Sequence, residues 1–329
     1  PRTSDFSKCP PHKNKMAYRR AKARSSQYGR KRRTPSRRRS TVKKRTYRKK
    51  ASTRLSKRMR NALAYKKRDT YLSAAATGAN PSPENPVVRA GAISLRPASQ
   101  NQGYLPNFHA LFYCPTFRYL KNNAKSFVAS RSATRPFYIG LSETYSLYPN
   151  DNSMWFWRRI VFSTKRNYGQ EISPTAASQI GVEASDGATT QRPMRDISGD
   201  ASVINYGQMY TNIAEDVFEG IYTTDWQNPI QAHLDRTKVS VISDKRRTIT
   251  SHNDVARPAV IKAYVPINKT VVYGDEENGN NMSTSPVSVT SKSGMGNIYV
   301  LDFFHCPAPV GDTTRLNITS QSTMYWHEK

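Results

Sequence analysis

The sequence predicts an all-β fold, a sandwich of short strands carried behind a disordered basic N-terminal arm. Three observations predict it. The charge sits at one end: residues 1–68 hold 28 of the 52 Lys and Arg and one of the 23 acids (Asp5), net +27, which leaves +2 for residues 69–329. The rest of the chain is rich in Tyr, Thr, Ser, Val, Ile and Phe, residues that suit a pleated, half-buried surface. Its apolar positions fall in short runs separated by Gly, Pro and Asn rather than in long helical stripes.

The arm, residues 1–68, has too few apolar side chains to offset the entropy of folding. Its cations come in clusters: Arg19 and Arg20; Arg30, Lys31, Arg32 and Arg33; Arg37, Arg38 and Arg39; Lys43, Lys44 and Arg45; Arg48, Lys49 and Lys50; Lys57 and Arg58; and Lys66, Lys67 and Arg68. Such density repels itself and holds the segment extended until a polyanion neutralises it. Each cation placed on a phosphate releases a counterion, so binding is independent of sequence and sensitive to salt. Tyr28 and Tyr47, interleaved with the clusters, offer stacking faces for unpaired bases, which tilts the expected partner toward single-stranded nucleic acid. The same clusters read as nuclear-import signals. Leu55, Met59 and Leu63 recur every four residues and predict a helix over 53–65. Pro1 suggests a removed initiator Met, and Met16 is a second candidate start.

Residues 69–100 read as a linker into the body, with Pro81, Pro83 and Pro86 as its breakers, and 101–329 as the folded domain. Strands are expected at 109–114, 136–148, 155–164, 217–223, 236–243, 247–251, 259–273, 297–305 and 315–326. In the last, Leu316, Ile318, Ser320, Ser322, Met324 and Trp326 share one face. Residues 298–304 are apolar on both faces, as for a strand inside a sandwich. Residues 167–200 read as a long loop excursion, and no segment reads as a long helix. An eight-stranded jelly roll is the leading sandwich type for such a pattern.

Catalytic and metal chemistry find little material. No apolar run approaches a membrane span, and no charged-then-apolar secretory leader is expected. Three cysteines (Cys9, Cys114, Cys306) make no disulfide framework. Cys9 and His12 have a two-ligand spacing, but a tetrahedral site needs four ligands, so no metal or other cofactor is expected. The acidic stretch 274–281 reads as a solvated hairpin loop around Asn278 and Gly279. His233, Asp235 and Asp244 lack any accompanying nucleophile or metal motif, so no enzyme is expected. Arg158 and Arg159 are adjacent on a strand and point to opposite faces, which makes them candidate inner-surface residues. Trp155, Trp226 and Trp326 are candidate contact anchors, with core the favoured place for Trp155 and Trp326.

The body also carries a resemblance. Residues 155–162 (WFWRRIVF) resemble the aromatic-Arg-Arg strand of geminivirus-like coat proteins. Residues 218–226 (FEGIYTTDW) and then 232–244 (AHLDRTKVSVISD) are similar to a stretch of genomovirus coat proteins, and 264–273, 297–304 and 315–326 are similar to the C-terminal strands of both groups. The resemblance implies a coat protein of a small circular single-stranded DNA virus, with a single jelly roll, the arm inside on the genome and loops facing outward. Partners would be the genome, about 60 copies of the chain itself and host import factors, located in the virion and the host nucleus. Sixty arms would carry roughly 1,600 positive charges, suited to a genome of order two thousand nucleotides. The competing expectations are a cellular basic-tailed nucleic-acid-binding protein and a nuclease.

Overall fold

The computed structural model describes residues 61–76, 88–97, 108–121, 125–173, 180–183, 190–198, 206–250, 258–309 and 311–329. The arm residues from Arg19 to Arg58, Tyr28 and Tyr47 among them, lie outside the described residues, as do Cys9 and His12.

The described chain is mostly β. Its strands are β1 (Tyr65–Ala76), β2 (Val88–Ala90), β3 (Ile93–Leu95), β4 (His109–Tyr113), β5 (Phe137–Pro149), β6 (Trp155–Thr164), β7 (Arg192–Pro193), β8 (Ser240–Ile249), β9 (Ala259–Thr270), β10 (Glu276–Asn278), β11 (Asn281–Ser283), β12 (Asn297–His305) and β13 (Leu316–Glu328). Two helices, α1 (Tyr168–Ile172) and α2 (Tyr206–Val217), lie between β6 and β8. One sheet runs β2-β1-β13-β5-β9, with β3 also on β13 and β7 on β1. The other runs β4-β12-β6-β8, and β10 and β11 form a separate hairpin.

The two sheets pack face to face. Tyr71, Leu141, Val265, Met324 and Trp326 of the first meet Tyr113, Val161, Ile298 and Val300 of the second in one cluster. Tyr145, Leu147, Leu316 and Ile318 meet Leu111, Trp155, Trp157 and Phe304 in another. Alternation puts one set of side chains into this layer and the other outside. The four-stranded sheet is covered on its outer face as well. There Phe112, Phe162, Tyr299 and Phe303 pack against Tyr168 of α1 and against Met209, Tyr210 and Ile213 of α2. Covering on both sides explains why β12 reads as apolar on both faces.

Several expectations need correction. The arm does not reach residue 68: β1 starts at Tyr65 and crosses the boundary drawn there, and β1, β2 and β3 occupy much of the expected linker. The signal was hidden because the inward positions of β1 include Lys67 and Asp69, buried charges whose partners are Glu328 and Arg118. The helix expected over 53–65 does not reach its end. Asn61 and Ala62 are helical, but Leu63 is exposed and Tyr65 is in a strand, while 53–60 lie outside the described residues.

Residues 217–223 form no strand. Helix α2 ends at Val217, and the chain then turns through Gly220 (φ 83°) and Thr223 (φ 73°), with the Asp225 carboxylate accepting the Ile221 N–H at 2.7 Å. The strands expected at 236–243 and 247–251 are one strand, β8, whose polar middle is tolerated because it lies on an edge. Helix α2 carried a readable signal in Tyr206, Met209, Tyr210, Ile213 and Val217, all on its buried side.

Candidate nucleic-acid interface

The sandwich layer is unusually ionic, and this decides where two candidate residues go. Arg158 is fully buried. Its Nε and Nη2 donate to the Asp244 carboxylate at 3.0 and 2.9 Å, and its Nη1 donates to the carbonyls of Pro229 and Ala232 at 2.6 and 2.7 Å. Arg159 is also buried, on the opposite side of β6, ion-paired to Glu143 and 5.1 Å from the Tyr145 ring. Neither is an inner-surface residue. Asp244 comes from the neighbouring strand β8 and Glu143 from β5 of the facing sheet, and burying a guanidinium without such a partner would be prohibitive. Burial pushes the Arg159 guanidinium below its ordinary range.

Beside Arg159, Arg192 donates to Asp302 at 2.6 Å and Ser320 Oγ at 3.1 Å, and lies over the rings of Tyr113 and Tyr145. Burial alone would lower its pKa, but Tyr145, Tyr113 and Asp302 together raise it. Two guanidiniums and two carboxylates thus balance between the sheets. Arg131 is held the same way, donating to Asp275 at 2.6 and 3.1 Å and lying 3.8 Å from the Tyr273 ring. Asp275 is therefore not part of a solvated loop, although Glu276 and Glu277 next to it are exposed on the β10–β11 hairpin.

The remaining candidates do not assemble a reaction centre. Asp235 accepts from the Thr237 backbone and hydroxyl, and Asp244 is committed to Arg158. Among the described residues no group of three or more His, Cys, Asp or Glu could hold a metal ion. Cys114 and Cys306 are buried, and burial pushes the Cys114 thiol up to about 11. Trp155 and Trp326 are in the core. Trp226 is 9% exposed, packed between Phe218 and Tyr222, so none of the three is a protruding anchor.

Over the covered sheet, the segment between β6 and β8 exposes charges of both signs, Glu215, Glu219 and Asp225 together with Arg236 and Lys238, and β8 itself exposes Lys245, Arg246 and Arg247. Glu219 and Asp225 line a cleft with Trp226, Asn228 and His233. The outer face of the other sheet is different. Its outward positions on β1, β13, β5 and β9 bear Lys66, Arg68, Lys262 and His327 and no carboxylate, because Asp69, Glu143 and Glu328 all point inward and are buried. Burial and the charge of Lys66 hold the His327 imidazole below its usual value.

No protein-family model matches the chain, and no curated protein is detectably similar to it in sequence. Among the described residues, no helix is long and apolar enough to cross a membrane.

Proposed function

We propose that this chain is the capsid protein of a small circular single-stranded DNA virus. Its bodies assemble into an icosahedral shell of about 60 copies. The cationic segment from Arg19 to Arg58 grips the genome and carries import signals for the host nucleus. The observation that carries this reading is a strand order joined to a charge split. Numbered one to eight, the strands of five residues or more are β1, β4, β5, β6, β8, β9, β12 and β13, and the sheets run 1-8-3-6 and 2-7-4-5. That order supports an eight-stranded jelly roll, an architecture used by viral shells, lectins and cupins.

Fold alone does not choose among these. The split does: +27 on residues 1–68 against +2 on the rest favours a body that tiles with copies of itself while its leader neutralises a polyanion. Purified full-length protein is expected as closed particles of about 2 MDa that protect single-stranded DNA from nuclease. A monomer or small oligomer bound to duplex would overturn the reading.

A further inference from the structure

We propose that the bare face of the β2-β1-β13-β5-β9 sheet is itself a contact surface for single-stranded nucleic acid, with Lys66, Arg68 and Lys262 on phosphates and Tyr264 stacked on a base. This rests on the packaging function proposed above and adds a surface of the folded body to the arm.

Three observations carry it. The face is cationic without a carboxylate, so a polyanion meets no repulsion there. The cations are spread along a diagonal. Register places Arg68 beside Tyr325, Gly140 and Pro266, and Lys262 two rows further on, beside Thr144 and Gln321. At sheet spacings Arg68 and Lys262 are roughly 20 Å apart, a track of several nucleotides rather than a single-anion site.

Between them lies Tyr264, 51% exposed. A methyl group on Gly140 would come within 2.7 Å of Tyr264 Cζ, so the hydroxyl end of the ring lies over the Gly140 backbone while the side chain stays half exposed. An aromatic surface held against a sheet stacks on unpaired bases and is denied those of an intact duplex.

The test uses the full chain assembled on single-stranded DNA containing 5-bromouracil. Irradiation and mass spectrometry are expected to find a cross-link in the peptide holding Tyr264, kept in Tyr264→Phe and lost in Tyr264→Ser. In the same background, changing Lys66, Arg68 and Lys262 together to Ser is expected to flatten the slope of log affinity against log salt by about 2. Cross-links confined to residues 1–60 with an unchanged slope would overturn this inference and leave the packaging function standing. Failure of the full chain to bind single-stranded DNA at all would instead overturn the packaging function. Acylation of Lys262 blocked equally in DNA-free assemblies would assign the face to a neighbouring copy and also overturn the inference.

Discussion

Lys67 Nζ lies 2.9 Å from Glu328 Oε2, with both side chains 1% exposed, so the strand that opens the body is clamped to the strand that closes it. Glu328 also accepts from Ser132 and from Trp326 Nε1, and Lys67 donates to the Ser130 carbonyl. Removing one partner of such a pair leaves an uncompensated buried charge. Lys67→Ala is expected to lower unfolding stability by about 3–5 kcal/mol in chemical denaturation, and Lys67→Met with Glu328→Gln to recover much of it.

The same contact sets where the arm can be cut. Truncation after residue 60 keeps all of β1 and is expected to leave the body folded but retaining much less nucleic acid than the full chain. Truncation after residue 68 also removes Lys67 and should show the additional loss of about 3–5 kcal/mol. Equal melting of the two truncated proteins would contradict the clamp. Equal nucleic-acid content in full-length and 60-residue-truncated protein would contradict the role of the arm.

The charge balance between the sheets makes a third prediction. Arg192→Met strips Asp302 of its guanidinium and leaves it the Trp157 indole N–H at 2.9 Å. A loss of about 3–5 kcal/mol is expected, larger than for an exposed pair such as Lys238 with Asp235. Adding Asp302→Leu should return part of it, and a double variant as unstable as the sum of the singles would rule out the pairing.

His109 gives a pH dependence. Its Nδ1 is 2.6 Å from Asp196 Oδ2 and its Nε2 is 2.5 Å from the Arg96 carbonyl, so both nitrogens face acceptors, an arrangement that favours the protonated ring. Burial opposes this, but Asp196 and the carbonyl outweigh it and raise the pKa above 6.5. The stabilisation is therefore complete below about pH 6.5 and is lost as pH rises through the higher folded value. Asp196, lowered from 3.8 by His109 and Ser198 against its own burial, adds stability above that value and loses it on acidification. Thermal melts of wild type should fall from pH 6 toward pH 8, and this part of the slope should vanish in His109→Gln.

What could be read from the sequence was what local pattern encodes. Strands β6 and β12 match the expected 155–164 and 297–305, and β12 is apolar on both faces as read. The alternation over 316–326 also places Leu316 through Trp326 inward as expected. What escaped depends on distant partners. Lys67 finds Glu328 and Asp69 finds Arg118 only once the fold exists, so β1 looked like more of the arm. Arg158 and Arg159 looked like surface cations for the same reason, since Asp244 and Glu143 lie far along the chain. The acid-free face is likewise a product of register across four strands, invisible in any one of them.

The central claim is that bodies tile while arms hold a genome within. Cryo-electron microscopy of the purified full-length protein tests it most directly. The expected image is a closed shell of about 60 subunits, with polynucleotide density inside it and Tyr65 at the inner surface. Unassembled subunits, or shells with Tyr65 at the outer surface and an empty interior, would contradict it.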